Sequence, residues 1–220
     1  MLGMIYHSFL LCFSKDWAFH QIHMFRRSHC DYCYHQLWVR DLIPLISFLF
    51  CKGKCRYCQH TLPWKYPLFE SLGGLLFIGI YVCHFSPTMI GGFLILEMMA
   101  MIDFHNFWVP DLLQVMLCVC IISTRPSLSH FLFAIMICSL LATISFLFPQ
   151  SFGGADIKCL SLLALYFSWH DFSLLLILSS LLALIYYYLS SLGKFCYSPE
   201  VYIPFVPFIA IAFYIVHIFP

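Results

Sequence analysis

The sequence predicts an all-α protein: a polytopic membrane bundle of about eight transmembrane helices, with a small cytoplasmic cysteine-rich insert after the first span. Three observations carry that expectation. Of the 220 residues, 62% are hydrophobic and 10% charged, whereas a water-soluble domain keeps roughly half and a quarter. The apolar residues gather into runs separated by short connectors such as "HFSP", "STRPS" and "FSWHDF", and a bilayer core about 30 Å thick takes roughly 20 apolar residues per helix. Eight of the eleven basic residues crowd into one polar stretch.

The elements follow in order. Apolar segments are expected at about 1–14, 67–85, 88–102, 109–123, 128–148, 157–168, 172–190 and 202–219. The first and sixth are short for a crossing and must be extended at their flanks, sit in a thinned region or be buried in the bundle. "MLGMIYHSFLLCF" has no basic n-region and no small-residue cleavage pattern, so it is expected to stay as an anchor. The organisation is then 1–14 as first span, 15–66 as a polar segment and 67–220 as the main membrane domain.

The polar segment holds Lys15, Arg26, Arg27, Arg40, Lys52, Lys54, Arg56 and Lys65. Positive charge collects on the cytoplasmic side, which places this segment inside and the N-terminus outside. Alternating eight spans from there leaves Lys158 and Lys194 inside and Arg125 outside. The connectors "DFHNFWVPD" and "SFGGADIK" then share the cytoplasmic face of a plasma membrane. The net charge of +1 says nothing about partners, and no direct nucleic-acid partner is expected.

Within the segment, "HCDYCYH" and "KCRYCQH" present Cys30, Cys33, Cys55 and Cys58. Two C-x2-C turns offering four thiolates suit one tetrahedral zinc. Redox pairs and idle thiols are the other readings, and a cytoplasmic compartment disfavours disulfides. A segment of this size, poor in core positions, benefits from such a staple. His29, His35 and His60 adjoin the knuckles, but four sulfurs already complete the coordination.

Outside the segment stand seven acids: Glu70, Glu97, Asp103, Asp111, Asp156, Asp171 and Glu200. A carboxylate at bilayer depth costs about 2.5–3.5 kcal/mol on insertion scales, so each is a functional candidate. Asp171 and Glu200 fall in connectors. Asp103 closes the third span and Asp156 opens the sixth, both on the cytoplasmic side. Two carboxylates sharing a site divide into an acid and a base, the chemistry of an aspartic protease. Three uses stay open on spacing alone: a catalytic pair, helix caps or interfacial residues, and an ion or proton path. Asp156 behind Gly153 and Gly154, and Asp111 behind Pro110, have cap-like positions.

Taken together these residues resemble the type IV prepilin peptidases, membrane aspartic endopeptidases with eight spans. The likeness runs through "RRSHCDYCYHQLWVRDLIPLISFLF", with its "DLIP" landmark, and "GKCRYCQHTLPWKYPLFE", with "CRYC" and "YPLFE", then returns in "IDFHNFWVPD" and "GGADIKCL". In length and style it is most similar to the competence-associated members of Gram-positive bacteria. The resemblance implies cleavage of the leader from prepilin or pilin-like precursors after its final glycine, at the cytoplasmic face, without a catalytic metal. It puts the two catalytic aspartates on Asp103 and Asp156. Asp111, Gly153, Gly154, Lys158 and Glu70 take supporting places, Glu70 as a buried polar contact and Lys158 as a headgroup anchor or substrate-facing residue. Two positions depart from the family: Ala155 stands for the second glycine of G-x-G-D, and His7 precedes "SFL" where the family carries glycine. Many members also methylate the new N-terminus with S-adenosylmethionine, an activity left open here.

A rival from another class is a small proton- or ion-coupled transporter with a zinc-binding module. It requires acids near the bilayer midplane, which Glu97 satisfies and the other two do not. A zinc-ribbon scaffold without catalysis would leave both aspartates replaceable. Gly73, Gly74, Gly91 and Gly92 are expected to serve close helix packing.

Overall fold

A computed structural model describes residues 1–18, 28–30, 32–148, 153–192 and 203–218. Arg26, Arg27, Lys194 and Glu200 lie outside the described residues, as does the side chain of Lys15. Among the described residues the chain is helical, with two isolated antiparallel bridges and no strand. It forms two compact units, Met1–His84 and Phe85–Pro220.

The first unit contains α1 (Leu2–Ala18), a 3₁₀ turn (Val39–Leu42), the short α2 (Ile46–Phe50) and α3 (Lys65–Val82). Helices α1 and α3 pack together over facing glycines. A Cβ on Gly73 would collide with the His7 ring and the Gly3 carbonyl, and one on Gly74 would press on the Met4 side chain. His7, one of the two family departures, is 8% exposed; its imidazole occupies the room that Gly73 leaves. The absent side chain on α3 and the enlarged one on α1 fit each other.

The second unit contains α4 (Pro87–Asn106), α5 (Asp111–Ser123), α6 (Leu128–Leu147), α7 (Gly154–Tyr166), α8 (Trp169–Leu192) and α9 (Val206–Ile218). Ser86 caps α4, its Oγ accepting from the Met89 N–H at 3.4 Å, with Pro87 at the first helical position, where its missing N–H costs nothing. Helix α4 packs on α5 and α9, α7 on α5 and α6, and α8 on α9. Leu96, Met99 and Ile102 of α4, Leu163 of α7 and Ile209 and Ala212 of α9 are fully enclosed, so the core lies among these three helices. Helices α4, α6 and α8 are long and apolar enough to cross a membrane. In the apolar window of α6, 6% is buried against 44% for α4, so α6 lies at the surface of the second unit and α4 nearer its centre.

The eight long helices fall on the eight expected segments, with two informative shifts. The third expected span ends at 102, but α4 continues to Asn106, placing Asp103 inside its last turn. The sixth begins at 157, but α7 starts at Gly154, placing Asp156 inside its first turn. Hydropathy marks where lipid contact stops, whereas the helix runs on through polar residues.

Candidate active site and metal centre

Asp103 is 7% exposed. Its Oδ2 accepts from the Val206 N–H at 3.2 Å, and the Phe205 N–H also donates to it. These amides belong to the start of α9, where a helix leaves its first N–H groups unpaired and carries partial positive charge. Helix α4 ends directly beyond, at Phe107, whose left-handed φ of 52° closes it with the Phe107 N–H on the Asp103 carbonyl.

Asp156 is the third residue of α7, and its Oδ2 accepts from the Gly153 N–H at 3.3 Å. This is one arm of a capping box, so the cap-like reading of Asp156 holds in part, with Gly153 itself at the N-cap. The same carboxylate interacts electrostatically with Asp103, and the buried Cys159, one turn along α7, is within electrostatic range of both. The fold therefore sets the third-span and sixth-span acids within electrostatic range of one another.

Ala155 has helical geometry without positive φ. The left-handed backbone that would demand glycine is not used there, and alanine is the better helix former. Lys158 turns to α5: its Nζ meets Asp111 Oδ1 at 2.6 Å. Sequence spacing does not predict that pairing, because neither residue's neighbourhood in the chain contains the other. Glu97 is buried in α4, six residues before Asp103.

The four cysteines converge in the first unit. Their sulfurs all lie within 4.8 Å of one another, and Cys30 Sγ stands 3.9 Å from Cys58 Sγ. Tetrahedral zinc with Zn–S of about 2.3 Å sets sulfurs roughly 3.8 Å apart, so the donor set and its spacing fit a metal ion. Cys30 and Cys55 are buried, while Cys33 and Cys58 lie toward solvent. The Cys33 backbone N–H, opposed by burial and helped by that of Tyr32, draws the Cys30 thiol down to about 7. At Cys58 the His60 N–H acts in the same direction, but desolvation and the neighbouring sulfurs carry the thiol up to about 11.

The two knuckles are copies of one turn, 25 positions apart. The Cys30 N–H donates to the His35 carbonyl and the Tyr34 N–H to the Cys30 carbonyl; Cys55, His60 and Gln59 repeat both bonds. Tyr34 and Gln59 hold matching φ of 54° and 58°. Tyr32 of the first knuckle lies on His60 of the second with ring centroids 3.3 Å apart, and Tyr57 lies on His35 at 3.7 Å. The histidines are therefore used in ring packing between knuckles, and the repeated C-x-Y-C-x-H was the signal in the sequence. Asp41, a residue of "DLIP" without an expected role, binds the second knuckle through Arg56 at 3.1 Å and the Tyr57 hydroxyl at 3.2 Å. Glu70 Oε2 accepts from the Leu45 N–H at 2.9 Å, which joins "YPLFE" to the residue after "DLIP".

Comparison with known proteins follows this division. Residues 1–84 match the bacterial peptidase A24 N-terminal domain, and residues 90–188 match the type IV leader peptidase family. A prepilin leader peptidase/N-methyltransferase of Vibrio cholerae is 30% identical over 206 residues, covering 86% of this chain and 80% of that protein. The chain belongs to the type IV leader peptidase family. The enzyme of the same name from Stutzerimonas stutzeri is 31% identical, over 70% of this chain and 58% of its own length. A type 4 prepilin-like proteins leader peptide-processing enzyme of Escherichia coli is 34% identical, over 39% and 33%. The match thus spans between a third and three fifths of the length of these last two relatives. No solved structure matches. For a leader peptidase family member, the apolar helices agree with a membrane location.

Proposed function

We propose that this protein is an aspartic endopeptidase that removes the leader from type IV prepilin-like precursors, with Asp103 and Asp156 as its catalytic pair. The observation that carries the reading is the electrostatic influence of these two carboxylates on one another, 53 positions apart in sequence, at the last turn of α4 and the first turn of α7. Helices α7 and α9 have 13 residues each, about 20 Å at 1.5 Å per residue, short of a bilayer core of roughly 30 Å. Their starts carry Asp156 and the amides that hold Asp103, and helices this short support a site at the membrane boundary.

Two close carboxylates hold one proton between them. The ionised one takes a proton from water as its oxygen attacks the scissile carbonyl carbon, and the protonated one donates to the carbonyl oxygen. Collapse of the tetrahedral species returns a proton to the leaving nitrogen. The amides at the start of α9 fix Asp103 for this exchange, and the Gly153 N–H fixes Asp156. Asp111 and Lys158 brace α5 against the start of α7.

The cysteine centre would hold zinc as a structural ion, clamping two turns that carry few core residues. Its place in the basic segment supports a cytoplasmic orientation, with cleavage on that face. Co-expression with a pilin-like precursor tests the assignment: Asp103→Asn and Asp156→Asn each abolish the size shift of the precursor. Normal processing by either variant refutes the catalytic pair.

A further inference from the structure

Helix α2 carries an apolar face that the protein leaves open. Its inward residue is Phe48, 8% exposed, while Ile46, Leu49 and Phe50 stand at 42%, 71% and 81%. Spacings of three and four put those three on one side of the helix. Phe48 explains why that side is not the one turned inward. A Cβ on Gly53 would lie 3.1 Å from its ring, and the Trp64 ring meets it edge-on with centroids 5.2 Å apart. The Gly53 N–H donates to the Phe48 carbonyl and the Leu62 N–H to the Gly53 carbonyl, both at 2.8 Å.

One buried ring thus gathers the end of α2, the turn at Gly53 and the residues that lead into α3. With them come Lys52, Lys54 and Lys65, all exposed, and Trp64, 77% exposed. Among the described residues no acid pairs with these three lysines. The described acidic side chains of this unit are engaged elsewhere, Asp41 by Arg56 and Glu70 by the Leu45 N–H.

The Glu70 bond also fixes a level. Glu70 is the sixth residue of α3, and Leu45 directly precedes α2, so α2 begins beside the second turn of α3. From that turn onward α3 leaves Leu68, Leu72, Leu75 and Ile78 exposed, an apolar stripe that water would not tolerate and lipid covers. Apolar side chains beside lysines and a tryptophan, at the level where a membrane helix starts, have the chemistry of an interfacial anchor. We propose that α2 lies in the membrane interface as a foot for the cysteine centre, with Leu49 and Phe50 entering the acyl boundary and Lys52, Lys54 and Lys65 holding anionic phospholipid headgroups. A symmetric contact with a second copy would set these lysines against one another, whereas anionic lipid neutralises them. The inference concerns the first unit alone and stands apart from the peptidase reading.

The test uses the full chain in nanodiscs of equimolar phosphatidylcholine and phosphatidylglycerol. A benzophenone amino acid replaces Leu49 in one variant and Phe50 in another; both side chains are largely exposed, and either variant serves if the other does not fold. After irradiation, mass spectrometry identifies what the benzophenone met. Lipid adducts form at both positions, with phosphatidylglycerol ahead of phosphatidylcholine by about fivefold, the attraction of one lysine near a charged surface. Adding Lys52→Gln, Lys54→Gln and Lys65→Gln brings that excess to within about twofold of parity, while lipid adducts persist and the thermal midpoint holds.

Cross-links to residues 85–220 overturn the proposal, because the second unit then covers the face. Cross-linked dimers overturn it in favour of a second copy, and absence of any adduct places the face in water. Equal adducts of the two lipids, or an excess that survives loss of the lysines, overturn the anionic site.

Discussion

The three small residues before Asp156 give opposed outcomes for one kind of substitution. A Cβ on Gly153 would lie 3.0 Å from Asp156 Oδ2, whereas one on Gly154 would meet nothing within 4 Å. Neither position has positive φ, so backbone strain plays no part. In Gly153→Ala the carboxylate must retreat by a few tenths of an ångström and loosen its 3.3 Å bond to the Gly153 N–H. A displacement of 1 Å in a catalytic group costs about a hundredfold, so this smaller shift should lower kcat about five- to tenfold. The stability cost is at most about 1 kcal/mol, because alanine is a poorer N-cap than glycine and a carboxylate swings easily. Gly154→Ala should leave kcat within about twofold and raise stability by up to about 1 kcal/mol. Ala155→Gly, which restores the family motif, should cost a similar amount and gain no activity. Single-turnover processing of a precursor and thermal unfolding in the same detergent read all three. Full activity in Gly153→Ala, or a larger loss in Gly154→Ala, would refute this account of how Asp156 is held.

Three further outcomes follow from the packing. Gly73→Ala forces a methyl into the His7 ring and the Gly3 carbonyl and should destabilise by about 1–3 kcal/mol, whereas Gly92→Ala, whose Cβ would sit 3.8 Å from Leu117, should be neutral or stabilising; equal thermal shifts would contradict the contrast. Glu70→Ala leaves the Leu45 N–H without its acceptor and should cost about 1–3 kcal/mol, most of it recovered in Glu70→Gln, as thermal unfolding will show. Cys58→Ser should bring bound zinc, measured by elemental analysis, well below one per chain, and acidification should release it from the wild type because every sulfur must shed a proton to bind; full retention in the variant would exclude the quartet as the ligand set.

What was legible in the sequence was whatever repeats along the chain. Apolar runs gave eight helices, and the double C-x2-C gave four sulfurs within reach of one ion. Gly73 and Gly74 read as packing glycines and are required as such. Gly91 and Gly92 have more room: an added methyl would lie 3.6 Å from Cys120 and 3.8 Å from Leu117, ordinary contact distances. Composition alone does not separate the two pairs, because the difference lies in how closely the opposing helix approaches. The copied knuckle was legible as well: "HCDYCYH" and "KCRYCQH" place tyrosine and histidine at the same offsets, and the structure crosses them so that each tyrosine covers the other knuckle's histidine.

The site was only half legible because its contacts depend on register between helices far apart in sequence. Asp103 and Asp156 stood out as acids at span ends on one side. Spacing gave Lys158 no need to pair with Asp156, but its pairing with Asp111 needs α5 and α7 aligned at their first turns. The ion pair thus marks the register of α7 on α5, which the packing of their buried faces sets. Because both groups of the pair are largely exposed, at 57% and 78%, its own contribution to stability is small, about 0–1 kcal/mol. Lys158→Met should therefore leave the melting temperature nearly unchanged, because buried apolar contacts hold the register, and a large fall in the midpoint of thermal unfolding would contradict that account.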